Sequence, residues 1–190
     1  GIATTGTCDV SQYSRITGAF TNGIINSTAS TTIYYKFYFR ADTLPSTSSS
    51  NLALSVRTNG GSNKAFLMVD SNGDLAIKDF GQTVQIGATS SGVISTGVWY
   101  RFEWIVDSGS PASSTLRVDG VEKISGSGNT SGAVHGELRL GRDLASGSVQ
   151  AIDFYYDDVA TDDTGLPGAS VVEALRPDAN GSTMQWTGCR

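Results

Sequence analysis

Thr31-Thr32-Ile33-Tyr34-Tyr35-Lys36-Phe37-Tyr38-Phe39-Arg40 is the stretch that decides the fold class. Its odd positions, Ile33, Tyr35, Phe37 and Phe39, are apolar, and its even positions, Tyr34, Lys36, Tyr38 and Arg40, are amphipathic. Successive side chains of a β-strand point to opposite faces, so this period of two predicts a half-buried strand. Leu52-Ala53-Leu54-Ser55-Val56-Arg57 repeats the pattern, with Leu52, Leu54 and Val56 facing in. Trp99 to Asp107 repeats it again, with Tyr100, Phe102, Trp104 and Val106 on one side. Shorter runs follow at Lys64 to Val69, Leu75 to Lys78, Thr115 to Val118, Val121 to Ile124, Glu137 to Leu140 and Ile152 to Tyr156.

The segments between these runs have turn chemistry. Asn72-Gly73 and Asp119-Gly120 each supply the residues that accept a positive φ, the signature of a tight hairpin. Turn signals recur every 8 to 12 residues or so, which is the rhythm of a sandwich or barrel. No run is followed by a helical crossover, so a parallel α/β sheet is disfavoured. The only helix-tolerant stretch is Ser170 to Leu175. Composition agrees: 23 Gly, 25 Ser and 20 Thr load a 190-residue chain with residues that weaken helices. With 38% hydrophobic residues, the chain still has enough apolar side chain for a core and is not of the disordered class. The prediction is an all-β, two-sheet antiparallel sandwich over residues 1–166, followed by an extended tail, 167–190. Trp186 would anchor that tail on the sandwich or on a neighbour.

Charge narrows the partners. The net charge is -5 and no run of Lys or Arg exists, which speaks against nucleic acid. No segment approaches the roughly 18 consecutive apolar residues of a membrane span, so no membrane partner is expected. Gly1-Ile2-Ala3-Thr4-Thr5 has neither the basic start nor the apolar run of a secretory signal, and no initiator methionine. The start reads as trimmed, processed or cut from a longer chain, and the residues do not choose among these. Cys8 and Cys189 lie near opposite ends. Two readings stand, a bridge between neighbouring termini and two unrelated thiols. Their separation excludes a CxxC redox or zinc motif.

Three segments together resemble the laminin-G-like or concanavalin-A-like jelly-roll family: Gly97-Val98-Trp99-Tyr100-Arg101-Phe102-Glu103-Trp104, then Leu116-Arg117-Val118-Asp119-Gly120-Val121, then Ala151-Ile152-Asp153-Phe154-Tyr155-Tyr156-Asp157-Asp158-Val159-Ala160. They fall in the family's order over roughly residues 20 to 160. The run from Asp157 to Gly165, with Leu175-Arg176-Pro177-Asp178-Ala179-Asn180-Gly181 and Gln185-Trp186-Thr187, is similar to tailed-bacteriophage virion proteins. That likeness implies a non-enzymatic structural protein, a capsid decoration or tail protein. Its implied partners are the major capsid protein, other virion proteins or copies of itself. Its implied location is the virion, or otherwise the extracellular space. The alternative is a carbohydrate-binding module with a glycan partner.

The residues offer two candidate sites and rule out three others. The sole histidine, His135, sits before a strand without a G-x-S-x-G nucleophile elbow, so a surface or hydrogen-bonded structural role is expected. Glycoside hydrolysis needs two placed carboxylates. Of the four glutamates, Glu103, Glu122, Glu137 and Glu173, none begins the E-x-D-x-x-E pattern of jelly-roll hydrolases, and Glu103 is expected to face solvent. The expectation is therefore that the chain is not an enzyme. Asp157, Asp158, Asp162 and Asp163, with Asp153 nearby, form an acidic concentration that reads as a calcium site or as a solvated turn. Laminin-G-like domains often hold such an ion. Asp70-Ser71-Asn72-Gly73-Asp74 begins like an EF-hand loop, but its twelfth position is Gly81, so a hairpin turn explains it better. Trp99, Trp104, Tyr34, Tyr38, Tyr155 and Tyr156 read either as a stacking platform on an open sheet face or as rings packed between the sheets; Tyr34, Tyr38 and Tyr155 alternate with the apolar set and are the candidates for an exposed face, for a protein or a glycan.

Overall fold

The structure, a computed structural model, describes residues 14–17, 22–46, 51–57, 63–79, 85–108, 112–128, 134–141 and 152–168. Twelve strands run through them: β1 (Ser14–Thr17), β2 (Asn22–Ser30), β3 (Thr32–Thr43), β4 (Asn51–Arg57), β5 (Asn63–Val69), β6 (Leu75–Asp79), β7 (Gln85–Ser90), β8 (Trp99–Asp107), β9 (Ala112–Val118), β10 (Val121–Gly128), β11 (His135–Gly141) and β12 (Asp153–Asp162). No helix occurs among the described residues, and none there is long and apolar enough to cross a membrane. The first sheet has the order β1-β12-β3-β8-β9-β10 and the second β2-β11-β4-β5-β6-β7, each six-stranded. All pairings are antiparallel. Two meanders, β4 to β7 and β8 to β10, lie in different sheets, and the chain changes sheet at its other turns. The fold is the expected jelly-roll sandwich.

The odd positions of β3 make the core, as their period predicts. Ile33, Tyr35, Phe37, Phe39 and Ala41 are fully buried, and Phe102, Trp104 and Val106 of β8 join them from the adjacent strand. Leu67, Val69, Leu75, Ile77, Ile86, Leu138 and Leu140 meet them from the second sheet. Phe39 stacks at 5.2–5.4 Å on Phe102, Phe154 and Tyr156, in tilted or edge-on geometry that suits the ring quadrupoles. Burying each such side chain contributes about 1.5–3 kcal/mol. The buried Trp104 indole is satisfied, because Nε1 donates to Ser114 Oγ at 2.8 Å and that hydroxyl donates to the Ile105 carbonyl.

Both predicted hairpins form. Asp119 and Gly120 have φ of 53° and 80°, and Val118 pairs with Val121, the two-residue turn whose twist matches the strands. Gly73 has φ of 74°, and a Cβ there would stand 2.0 Å from the Ile94 carbonyl oxygen. Glycine is required at that position because the 91–94 segment docks on it, with Val93 N and Ile94 N donating to the Gly73 carbonyl. At one side the sheets close on each other. A Cβ on Gly126 of β10 would lie 2.5 Å from Gly87 N of β7, and one on Gly128 would lie 2.5 Å from Ile86 Cγ1.

Candidate functional site

The face of the first sheet turned away from the core gathers the chemistry-bearing residues in four rows. Strand register sets Tyr155, Arg40 and Trp99 side by side, then Asp157, Tyr38 and Arg101, then Ala160, Lys36, Glu103 and Arg117, then Asp162, Tyr34, Ile105 and Thr115. The period of two puts Trp99 here, opposite its buried-side neighbour Tyr100.

The first row is an aromatic and guanidinium cluster. Trp99 is 36% exposed, one of the exposed large hydrophobic residues among those described. The Arg40 guanidinium lies 6.0 Å from the Trp99 ring centre and 5.1 Å from that of Tyr155, and the two rings meet edge to face at 6.5 Å. Asp42 orients the guanidinium through a bidentate pair, Nε to Oδ1 and Nη2 to Oδ2, each 2.6 Å. In the next row the buried Nε of Arg101 makes no hydrogen bond. The Glu103 carboxylate stands 3.3 Å away, off the hydrogen-bond direction. Glu103 does lie on the outward face, as expected, and is partly covered there.

The tyrosines predicted for exposure divide. Tyr34 and Tyr38 are half-buried on this face. Tyr155 is corrected to buried, at 8% exposure, because Trp99 and Arg40 cover its ring; its hydroxyl donates to Asp153 Oδ2 at 3.3 Å. Trp99 belongs to the aromatic group of the platform reading and is exposed; Arg40 is the residue that reading passed over.

The structure does not bring the acidic residues together. Among the described residues no three His, Cys, Asp or Glu side chains are arranged to hold a metal ion. Asp157 and Asp158 form a β-bulge instead. Two residues of β3, Tyr38 and Lys36, span three residue steps of β12, from Asp157 to Ala160; Asp158 takes φ of 51° and donates its N–H to Asp157 Oδ1 at 2.8 Å. The extra residue lets Val159 pack against the core. Asp162 Oδ1 accepts from Thr164 N at 2.7 Å and from Thr164 Oγ1 at 2.6 Å, which holds its carboxyl below the usual carboxylate range. Asp153 bonds Tyr155, and Asp163 is exposed. These contacts are the bonds of a turn and a bulge.

His135 opens β11 and is fully buried. Its Nε2 donates to the carbonyls of Thr31 and Val106, each at 3.1 Å, so the neutral ring accepts at Nδ1 from the Tyr35 hydroxyl, also at 3.1 Å. Burial pushes that hydroxyl far above the usual tyrosine range. The histidine is structural, tying the second sheet to the first. Cys8, Cys189, Trp186, the Ser170 to Leu175 stretch and the tail from 169 onward lie outside the described residues.

No family model and no curated protein matches the sequence. Solved structures do match. A sialidase superposes with a TM-score of 0.55 at 13% identity, over 75% of this chain; the chain spans only 14% of that protein. Alginate lyase Aly36B superposes at 0.53 and 13% identity, over 82% of each chain. A botulinum neurotoxin type C structure, of a toxin whose cell entry depends upon interaction with two ganglioside molecules, superposes at 0.54 and 13% identity, over 81% of this chain and 40% of that one. Likeness at such identity shows the fold, a sandwich shared with carbohydrate-active and carbohydrate-binding proteins.

One expectation is overturned by these neighbours. The chain was expected not to be an enzyme because it lacks a hydrolase carboxylate pair, yet lyases are built on the same sandwich. A lyase cleaves by elimination, in which lysine, tyrosine or histidine can move the proton, so the missing pair excludes nothing for that chemistry. The sialidase, the lyases and the toxin lend no support to a phage role.

Proposed function

We propose that the outer face of the first sheet is a carbohydrate-binding platform, with Trp99 as its stacking surface and Arg40 as its hydrogen-bonding fork. The observation that carries this reading is the exposed Trp99 ring beside a guanidinium already oriented by Asp42. A sugar ring offers an apolar face of C–H bonds and a rim of hydroxyls. A flat aromatic surface with a few fixed polar groups suits both. Tyr38 and Tyr34 continue the surface along the strand. The fold neighbours support the choice of ligand: a variant of the alginate lyase is described in complex with alginate tetrasaccharide, and the toxin interacts with gangliosides. The virion reading rests on the likeness of the stretch from 157 to 187, much of which lies outside the described residues.

The test is retardation of the protein in gels containing alginate, glucuronan, sialylated glycans or neutral glucans. Binding to at least one polymer is expected, weakened about tenfold by Trp99→Ala, the equivalent of 1.4 kcal/mol. Thermal melting should stay close to wild type, since the ring is exposed. A protein that no polymer retards, or a Trp99→Ala variant that binds as wild type does, overturns the reading. Following the same mixtures for unsaturated sugar ends reports whether the platform also cleaves what it holds.

A further inference from the structure

Lys36 stands in the middle of the platform and is nonetheless only 5% exposed. Ala160 flanks it on β12 and Glu103 on β8, and Glu103 is turned toward Arg101. What lies over Lys36 is the chain beyond β12. Asp162, beside Tyr34, is one row further along the face. Its carboxylate holds the backbone N–H and hydroxyl of Thr164, and the chain then returns so that Gly168 O accepts from Lys36 Nζ at 2.7 Å. The segment Thr164–Gly168 is thus a strap across the platform, fixed at one end by the Asp162 turn and at the other by the lysine.

The bond beneath the strap is chemically unequal. An ammonium carries a full charge, whose burial is costly, and the peptide carbonyl it meets is neutral. A carboxylate in the same place makes a charge-assisted bond about twice as strong. Resting on the glycan-platform reading, we propose that Lys36 is its carboxylate-binding residue, selecting acidic sugars, and that the Thr164–Gly168 strap occupies this subsite until an acidic glycan displaces it. Lys36 and Arg40 are four residues apart on one strand, roughly 13 Å, so an oligosaccharide rather than a single sugar reaches both Lys36 and Trp99. Neutral glycans engage the Trp99 end alone. The strap lowers the apparent affinity for acidic glycans by the fraction of molecules in which it is closed.

The test uses the full chain and four variants, Lys36→Met, Lys36→Arg, Asp162→Ala and Asp162→Asn. Each is measured for binding to alginate and to a neutral glucan, and for the rate at which acetic anhydride acetylates the position 36 amine where a lysine remains, read by mass spectrometry. Lys36→Met should weaken alginate binding about tenfold to a hundredfold, the loss of one charge-assisted bond, and leave the glucan unaffected. Lys36→Arg should keep most of the alginate affinity. Asp162→Ala should release the strap, tighten alginate binding and speed acetylation of Lys36. Asp162→Asn removes the charge but keeps the acceptor for Thr164, so it should acetylate as wild type does. Alginate binding unchanged in Lys36→Met, or acetylation unchanged in Asp162→Ala, overturns the proposal. If Lys36→Met does not fold, the Asp162 pair decides alone. A wild-type protein that none of alginate, glucuronan, sialylated glycans and neutral glucans retards removes the platform itself and the lysine's role with it. Binding of the glucan together with an alginate affinity indifferent to Lys36 removes only the carboxylate subsite.

Discussion

Tyr35→Phe removes one oxygen from the middle of the sandwich, and its effect should shrink as pH rises. The hydroxyl donates to His135 Nδ1 at 3.1 Å in a fully buried site, and the His135 Nε2 proton is committed to two carbonyls. Phenylalanine keeps the ring contact with Trp104 at 5.9 Å but leaves Nδ1 a buried acceptor with its donor gone. Such a loss costs about 1–3 kcal/mol. Near neutral pH the variant should therefore melt about 2–12 °C lower, at roughly 2–4 °C per kcal/mol for a domain of this size. Alkali changes the balance. The unfolded Tyr35 ionises near 10, whereas burial raises the folded hydroxyl well above that. Above pH 10 the unfolded chain binds fewer protons than the folded one, and Tyr35 costs wild type about 1.4 kcal/mol per further pH unit. Phenylalanine has no proton to lose. Urea unfolding of both proteins at pH 8 and pH 11 should show the gap between them narrowing by about 1.4 kcal/mol. A gap that stays constant would refute the reasoning, because it would mean that the hydroxyl ionises as easily folded as unfolded.

Gly126→Ala places a Cβ 2.5 Å from Gly87 N and 2.7 Å from its Cα, backbone atoms that cannot rotate away, so a loss of about 1–3 kcal/mol is expected in thermal melts. Gly92→Ala is the control: its φ of 62° costs about 1 kcal/mol and its Cβ meets nothing. Equal melting of the two variants would contradict the close approach of β7 and β10. The Asp162 carboxyl should titrate below its ordinary 3.8 by carbon-detected NMR, because the Thr164 hydroxyl and N–H favour the charged form. The bonds to Thr164 are therefore fully present above the ordinary carboxylate range and are lost as pH falls through the depressed value. Thr164→Ala, which deletes the hydroxyl donor, should move that midpoint upward, and an unmoved midpoint would detach the turn from the titration.

Strands whose side chains alternate were legible in the sequence, and strands made of small residues were not. The apolar face of β3, the Trp99 to Asp107 strand and both hairpins follow from period two and from glycines that must take a positive φ. β7, Gln-Ile-Gly-Ala-Thr-Ser, has no apolar alternation; pairing with β6 and the close approach of β10 make it a strand. The site was half-legible for a related reason. Alternation correctly sent Tyr34, Lys36, Tyr38 and Tyr155 outward, but whether an outward side chain is exposed depends on what crosses above it. Tyr155 is covered by residues of two other strands, and Lys36 by a carbonyl 132 positions away. Asp157 and Asp158 announced charge, but their position in a bulge depends on the register with β3, which no local pattern encodes.

The meeting of β7 and β10 also gives the molecule a direction. Along that side the two sheets touch through Gly87, Gly126 and Gly128, while β1 and β2 end the sheets at the other. The sandwich is bound like a book along one spine, and toward its other edge His135 of β11 clasps the first sheet through Tyr35 and the Thr31 and Val106 carbonyls. The proposed platform is thus the outer cover of a sheet held from within at two places. Trp99 and Tyr155 meet across Arg40 on neighbouring paired strands, an arrangement that spares a ligand part of the cost of ordering its own site.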